Sequence, residues 1–189
     1  GLPVPPAFVL SYPLLAAINQ NTDQIRTGII AKLRELEIRT GALLGNEDRP
    51  LLLSVRSGAL TSLPGMMSTI MNIGLVPRVR AALSQKHGAD FIDTLYLRFL
   101  ENCESALSLG QQNPRQRFKD SAAQSVAHSA TLNKNRGSDL YLQRKKTEVL
   151  ESFLAAYLGP SFLTDEEEQL FTCIELVYDS RTSKTVNLY

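Results

Sequence analysis

Residues 50–59 read Pro50-Leu51-Leu52-Leu53-Ser54-Val55-Arg56-Ser57-Gly58-Ala59, and residues 60–75 continue Leu60-Thr61-Ser62-Leu63-Pro64-Gly65-Met66-Met67-Ser68-Thr69-Ile70-Met71-Asn72-Ile73-Gly74-Leu75. The apolar run at 51–55 predicts a short strand that is buried on both faces. Segment 57–65 contains two glycines, a proline and several hydroxyl side chains, which predict a loop. Residues 69–73 predict a return strand that ends before Gly74. This strand–loop–strand unit is the centre of the predicted fold.

Helical patterns dominate the rest of the chain, because apolar residues recur there at spacings of three and four. Thr164, with Glu167 three residues later, predicts a capping box at the start of the last helix. Segment 110–137 lacks this periodicity, apart from a weak helical pattern at 118–132, and is predicted to be an exposed connector. The predicted helices are 13–41 with a break at 19–21, 77–86, 89–109, 138–158 and 165–179, and short strands are predicted at 7–10 and 185–189.

The predicted fold class is α+β, helix-rich with a small mixed β-sheet. A chain of 189 residues supports one sizeable core, so one domain is expected. Cys103 and Cys173 lack the spacing of a metal site and are predicted to be unpaired thiols buried in helices. The three glutamates at 166–168 could suggest metal, but consecutive helix positions point in different directions. A solvated first turn near the positive end of a helix is therefore the favoured interpretation.

Charge and hydropathy exclude several classes of partner. Twenty Lys and Arg against nineteen Asp and Glu give a formal net charge of +1, which is too balanced for non-specific nucleic-acid binding. No apolar run approaches the roughly 20 residues that span a bilayer. The opening residues lack the features of a signal peptide. The expectation is a soluble, cytoplasmic protein, and a first residue other than Met leads us to expect a longer parent protein.

Arg56 is the first candidate functional residue. It is predicted to end a rigid strand, directly before a loop whose glycines let backbone N–H groups approach a ligand closely. The guanidinium group offers a planar set of donors that suits phosphate oxygens. Two alternatives stay open on this physical argument alone: Arg56 could pair with a carboxylate, and the loop could be an ordinary connection.

The literal sequence resembles the nucleotide-binding domain of the pyruvate phosphate dikinase family. That family has a Ser-Val-Arg-Ser-Gly-Ala stretch, a Pro-Gly-Met-Met loop and an Asn-x-Gly-Leu strand, which stand here at 54–59, 64–67 and 72–75. A weaker likeness covers nearly the whole chain. It includes Gly-Leu-Pro-Val-Pro-Pro at 1–6, Tyr96-x-Arg98-Phe99, Gln169-Leu170, Val177-Tyr178-x-Ser180 and Tyr189.

The resemblance implies the first lobe of an ATP-grasp-like nucleotide-binding domain, spanning residues 1–189 with a helical insertion at about 77–180. Full enzymes of the family use ATP, Mg²⁺ and inorganic phosphate, pass a phosphoryl group to a histidine on a swinging domain, and deliver it to pyruvate, which forms phosphoenolpyruvate. The metal ligands and the phosphohistidine domain are implied outside this chain, so no catalytic residue is assigned within it. The nucleotide- and phosphate-binding residues that the resemblance implies are Arg56, Ser57, Gly58, Ala59, Ser62, Pro64, Gly65 and Met66.

Three departures from the family pattern support an alternative function. Leu60, Ser68 and Thr185 stand where the family usually has arginine, aspartate and arginine, respectively. The loss of these charges is compatible with a divergent, non-catalytic binding or interaction module that keeps the fold, and self-association into a homodimer would fit that role. If the chain belongs to a longer enzyme, its partners are a second ATP-grasp lobe and the phosphohistidine domain, and the chain alone is not expected to be active.

Overall fold

A computed structural model of the chain describes residues 4–16, 22–58, 68–110 and 136–180. Helices dominate these residues and the sheet is small, so the predicted α+β, helix-rich class is confirmed. The helices are α1 (Tyr12–Ala16), α2 (Thr22–Thr40), α3 (Pro77–His87), α4 (Ala89–Gly110), α5 (Arg136–Leu158), α6 (Ser161–Thr164) and α7 (Glu166–Ser180), and the strands are β1 (Leu53–Arg56) and β2 (Thr69–Ile73).

The core lies where α4 and α7 pack on each other and on the two strands. Ile92, Tyr96, Phe99 and Cys103 of α4 are almost fully buried, at the spacing of three and four that places residues on one helix face. The Phe99 ring lies 6.1 Å from the Tyr96 ring and 5.8 Å from that of Phe162 in α6. Each fully buried side chain of this kind contributes about 1.5–3 kcal/mol, so the α4 face accounts for much of the stability.

Strands β1 and β2 form an antiparallel pair with Leu53 opposite Ile73, Val55 opposite Ile70 and Arg56 opposite Thr69. The register shifts by one residue between the first two pairs, because β2 carries a bulge. Asn72 lies at that bulge with φ 63°, a left-handed conformation that asparagine tolerates better than most residues.

The sheet differs from the sequence-based expectation in two ways. The described sheet is antiparallel and not mixed, because its two strands follow each other as a hairpin; the parallel bridge Leu43–Pro50 stands apart from it. The prediction that strand 51–55 is buried on both faces is also wrong. β1 alternates between half-buried and exposed side chains, because the helices cover only one face.

Residues 7–10 were predicted to be a strand, and this prediction is wrong as well. The side chains do alternate: Phe8 and Leu10 pack against the core while Val9 is 92% exposed. The backbone, however, forms no ladder with any strand of the described residues. The segment between Pro6 and Ser11 is therefore extended and half-buried, without a paired neighbour among the described residues.

The glutamates of the first turn of α7 pair with arginines from two other helices. Arg26 and Arg34 of α2 contact Glu168 and Glu167 at 3.1 and 3.0 Å. Arg78 of α3 contacts Glu166 at 2.6 Å. The interpretation of this turn as merely solvated is therefore incomplete, because its carboxylates tie α2 and α3 to the start of α7.

The N-cap of α7 is Asp165 and not the predicted Thr164. The Asp165 carboxylate accepts a hydrogen bond from the Glu168 backbone N–H at 2.8 Å, which is the bond that an N-cap side chain makes with the third residue of a helix. The Thr164 hydroxyl instead donates to the backbone carbonyls of Pro160 and Ser161. The predicted helix start is nevertheless correct to within one residue.

Gln169 connects the helices to the end of β2 through a fully buried side-chain amide. Its Oε1 accepts a hydrogen bond from the Gly74 N–H at 2.7 Å, and its Nε2 donates to the Phe162 carbonyl at 3.2 Å. Both backbone groups are buried away from water and need a hydrogen-bond partner within the protein. This one side chain therefore satisfies two polar groups of the core.

The other predicted elements agree with the structure within a few residues where it describes them. β2 has the predicted bounds, and the helices predicted at 77–86, 89–109 and 138–158 are α3, α4 and α5. Cys103 and Cys173 are buried free thiols in α4 and α7, as predicted. The break predicted at 19–21, most of the connector, including 118–132, and the strand predicted at 185–189 lie outside the described residues.

Candidate functional site

The candidate site is the loop end of the β1–β2 hairpin. Arg56 and Thr69 form the last cross-strand pair before the loop, and both side chains are exposed. Directly opposed residues of an antiparallel pair have Cβ atoms about 4.5–5.5 Å apart and project on the same face. The hairpin therefore places a guanidinium group beside a hydroxyl group, and Arg56 forms no ion pair with any of the residues that the structure describes.

The face of the hairpin that carries Arg56 and Thr69 also carries Ser54 and Met71. All four side chains are exposed, so no helix of the described residues packs on this face. Met71, with 41% of its surface exposed, lies on this face one position beyond Thr69 in the alternation. A cation, two hydroxyl groups and an apolar thioether thus share one open face. We define the outer face of the hairpin by these four residues, Ser54, Arg56, Thr69 and Met71.

The opposite face of the hairpin carries Ser57 and Ser68, one position beyond Arg56 and Thr69. Ser68 is 9% exposed, and the hydroxyl oxygens of both serines are buried without a hydrogen-bond partner among the described residues. Burying an unpaired hydroxyl group costs about 1–3 kcal/mol. The alternation also separates Arg56 from the Ser57 side chain, so beside Arg56 a ligand meets the backbone of residues 57 and 58 rather than the Ser57 hydroxyl.

Ser68→Ala is expected to raise the free energy of unfolding by about 1 kcal/mol, because it removes a buried hydroxyl group that has no hydrogen-bond partner among the described residues. Urea denaturation followed by circular dichroism measures the change. Ser180→Ala is the matched control: the buried Ser180 hydroxyl donates to the Val177 carbonyl at 2.8 Å, so its loss should lower stability. A Ser68→Ala variant less stable than the parent chain would contradict the burial of an unpaired group.

Two asparagines and Gln169 hold β2 in place. The Asn102 side chain on α4 accepts a hydrogen bond from the Met71 N–H at 3.4 Å, and the Asn72 amide donates to the Leu95 carbonyl at 3.2 Å. Gln169 holds the backbone just beyond the strand. Thr69 and Arg56 therefore stand on a strand pair that is fixed to two helices, which favours a preformed site.

Of the eight predicted site residues, the structure describes Arg56, Ser57 and Gly58. A Cβ added to Gly58 would meet no atom of the described residues within 4 Å, so among them the backbone there borders open space. Thr69 was not among the predicted residues, although it lies opposite Arg56. The predicted site residues that lie outside the described residues are Ala59, Ser62, Pro64, Gly65 and Met66.

In the described part of the chain, no group of three or more His, Cys, Asp or Glu side chains is arranged to hold a metal ion. None of the described helices is both long enough and apolar enough to cross a bilayer. An open depression of about 380 Å³ lies at the end of α2, lined by Arg34, Glu37, Ile38, Gly41, Leu43 and Arg49, and it shares no residue with the hairpin.

Comparison with known proteins matches the whole chain to one group of enzymes. The chloroplastic pyruvate, phosphate dikinase of Flaveria pringlei is 33% identical over an alignment of 197 residues, which covers 100% of this chain and 20% of the relative. The chloroplastic enzyme of Mesembryanthemum crystallinum is 35% identical over 95% of this chain and 19% of its own length. Pyruvate, phosphate dikinase 2 of Oryza sativa subsp. japonica is 33% identical over 100% of this chain and 21% of the relative. The chain thus spans about a fifth of the length of these relatives, and no protein-family model matches it.

Proposed function

Because the chain is related over its whole length to a segment of the pyruvate, phosphate dikinases, we propose that it is the ATP-binding lobe of a phosphotransferase of that family. The observation that carries the proposal is the position of Arg56. Its exposed side chain ends a strand that is fixed to the core, it has no ion-pair partner among the described residues, and the backbone beside it borders open space. This arrangement suits a ligand that brings its own negative charge.

The proposed role of the hairpin is to position the phosphates of ATP. The Arg56 guanidinium binds phosphate oxygens, the Thr69 hydroxyl donates to the same group, and the backbone at Gly58 leaves room for a close approach. Phosphoryl transfer depends mainly on position and on stabilisation of negative charge, so donors held on a rigid strand pair can contribute without acting as acid or base. The predicted loop residues, from Ala59 to Met66, would complete the binding site.

The magnesium ion of the proposed reaction is expected to be bound mostly by groups outside this chain, since no group of three or more acidic, His or Cys side chains among the described residues is arranged to hold a metal ion. ATP would bring the ion with its phosphates, and the second lobe would supply the carboxylates. The histidine that receives the phosphoryl group and the later transfer to pyruvate, which forms phosphoenolpyruvate, belong in this proposal to other parts of a longer protein.

The domain organisation proposed with this function is a single lobe. It spans residues 1–189 and has a helical insertion at about 77–180. One continuous core supports it, since buried residues from Ile25 to Val177 form a single cluster. The cytoplasmic location stays a prediction, and some of the relatives are named as chloroplast enzymes.

Arg56→Ala is expected to weaken the binding of Mg-ATP by about 1.5–3 kcal/mol, the range for hydrogen bonds to charged groups. Thr69→Val removes one neutral donor at nearly constant shape and should weaken binding by about 1 kcal/mol. Calorimetric titration of the folded chain with Mg-ATP and with pyrophosphate measures both effects. Arg144→Ala, which removes an exposed arginine of α5, is the matched control and should bind like the parent chain.

Two outcomes would contradict the proposal. If the folded parent chain takes up neither ligand saturably, the divergent interaction module becomes the better description, and self-association should then be measured by sedimentation. If the parent chain binds ATP and Arg56→Ala binds equally well, the nucleotide lies elsewhere on the chain. The absence of family charges at Leu60, Ser68 and Thr185 is the sequence observation that keeps the interaction module as the alternative.

A further inference from the structure

Met71 is the large apolar side chain of the outer face, and 41% of its surface is exposed. The other exposed large apolar side chains of the described residues lie on helices or in the segment before α1. A single exposed apolar residue is ordinary on a protein surface. Met71 differs from these by its place, because it follows Thr69 by two residues on the face that carries Arg56. The outer face therefore presents a cation near the loop and an apolar group farther from it.

The backbone around Met71 is irregular and is held in place by α4. The bulge sets two residues of β2, Met71 and Asn72, opposite one residue of β1, Ser54. Bulges re-aim side chains and are frequent beside active sites. The Met71 N–H donates to the Asn102 side chain at 3.4 Å, and the Asn72 amide donates to the Leu95 carbonyl at 3.2 Å. Both residues of the bulge are thus tied to α4, which gives the Met71 side chain a fixed place on the outer face.

The spacing of the cation and the thioether suits a ligand with a charged end and an apolar end. Thr69 lies opposite Arg56, and Met71 stands two residues further along β2, so Met71 is the diagonal neighbour of Arg56. Diagonal neighbours of an antiparallel pair have Cα atoms about 7–8 Å apart, within reach of long side chains. In ATP the ribose separates the phosphates from the purine ring, so one molecule can contact both side chains.

We propose that Met71 packs against the purine ring of the nucleotide whose phosphates Arg56 binds, and that this contact makes the chain prefer ATP to a bare polyphosphate. The inference rests on the proposed function. A thioether is flexible and polarisable, and it makes favourable contacts with aromatic rings. The phosphates lie at the loop end of the hairpin and the ring lies farther from the loop. Ser54, across the hairpin from Met71, offers its exposed hydroxyl group to the polar edge of the nucleoside.

Calorimetric titration of the folded chain with Mg-ATP and with Mg-tripolyphosphate tests the proposal, because tripolyphosphate has the three phosphates and lacks the nucleoside. The parent chain should bind ATP more tightly than tripolyphosphate. Met71→Ala should weaken ATP binding by about 2- to 10-fold, the range for one contact between sulfur and an aromatic ring, and should leave tripolyphosphate binding unchanged. Arg56→Ala should weaken the binding of both ligands.

Ile38→Ala is the matched control for the loss of an apolar surface. Ile38 is an apolar side chain of α2 with 82% of its surface exposed, and the variant should bind both ligands like the parent chain. Circular dichroism shows whether each variant keeps the helix content of the parent chain.

Methyl NMR gives a second measurement that needs no loss of affinity. The chain has three methionines, and the Met71→Leu variant identifies the Met71 methyl signal by its disappearance. ATP should move this signal upfield, because a methyl group over the face of an aromatic ring is shielded by the ring current. Tripolyphosphate has no ring and should not produce this shift.

Three results would overturn the proposal and leave Arg56 in its proposed role. They are equal affinity of the parent chain for ATP and tripolyphosphate, an equal effect of Met71→Ala on both ligands, and a Met71 methyl signal that ATP moves no further than tripolyphosphate does. An Arg56→Ala variant that binds both ligands like the parent chain, or a folded parent chain that binds neither, would instead overturn the proposed function on which the inference rests.

Discussion

Gln169→Leu is expected to lower the free energy of unfolding by about 2–4 kcal/mol. Leucine keeps the approximate volume of the side chain but offers no partner to the Gly74 N–H or to the Phe162 carbonyl, which the Gln169 amide binds at 2.7 and 3.2 Å. Each buried polar group left unpaired costs about 1–3 kcal/mol, and part of that cost is offset because leucine prefers the core. Urea denaturation of the two proteins measures the difference.

The matched control for this prediction is Gln85→Leu, the same substitution at an exposed position of α3. Surface changes of this kind usually stay within about 0.5 kcal/mol. Hydrogen exchange adds a local measurement, since the Gly74 amide should exchange faster in the Gln169 variant than in the control. Equal stabilities for the two variants would show that the amide of Gln169 does not hydrogen-bond to these two backbone groups.

Gly74→Ala should destabilise the chain by about 3–5 kcal/mol. Gly74 has φ 103°, a conformation that side chains rarely adopt, and this strain alone costs about 1–3 kcal/mol. An added Cβ would also lie 2.9 Å from the Leu51 carbonyl oxygen and 2.9 Å from a Leu44 methyl group. The carbonyl belongs to the backbone leading into β1, so relief of the contact requires the hairpin to move, and the denaturation midpoint should fall accordingly.

Gly88→Ala separates the two contributions. Gly88 also has a positive φ, at 90°, but a Cβ there would meet no atom within 4 Å, so the substitution carries the strain without the collision. It is expected to cost about 1–2 kcal/mol. If Gly74→Ala proves no more harmful than Gly88→Ala, the close approach of residues 51 and 74 is not a feature of the protein in solution.

Helices were predicted well from the sequence because their signals are local. The apolar stripe of α4, the Pro77 that begins α3 and the glycine after α5 lie in or next to the helix that they define. Pairing signals are not local, which explains the errors in the sheet. The prolines before residues 7–10 and the serine after them predicted a strand but could not tell whether a neighbour pairs with it. The apolar run at 51–55 gave no sign that one face of the strand is uncovered.

Polar residues of the core were the other features missed. Gln169 follows three glutamates and looks like one more surface residue, yet it is fully buried because a backbone N–H and a carbonyl, both distant in sequence, need its amide. The arginine partners of the three glutamates are likewise far along the chain. Pattern rules assign polar residues to the surface, so they cannot find such contacts.

Of the two candidate side chains at the end of the hairpin, the sequence predicts one. Arg56 follows from its place at the end of an apolar run before a glycine-containing loop, and the structure places it on the outer face. Thr69 does not follow, because a long loop leaves the pairing register of two strands open, and only the register shows that residue 69 faces residue 56. Once that pairing is known, the candidate site extends across both strands.

The two faces of the hairpin are under different constraints, which bears on how this chain can diverge. Inner-face residues such as Ile70 pack in the core, so selection for folding restricts them whatever the chain binds. Outer-face residues are exposed, and changes there leave the core intact. Substitutions on the exposed side of two short strands can therefore change what the chain binds, while the buried side keeps the fold.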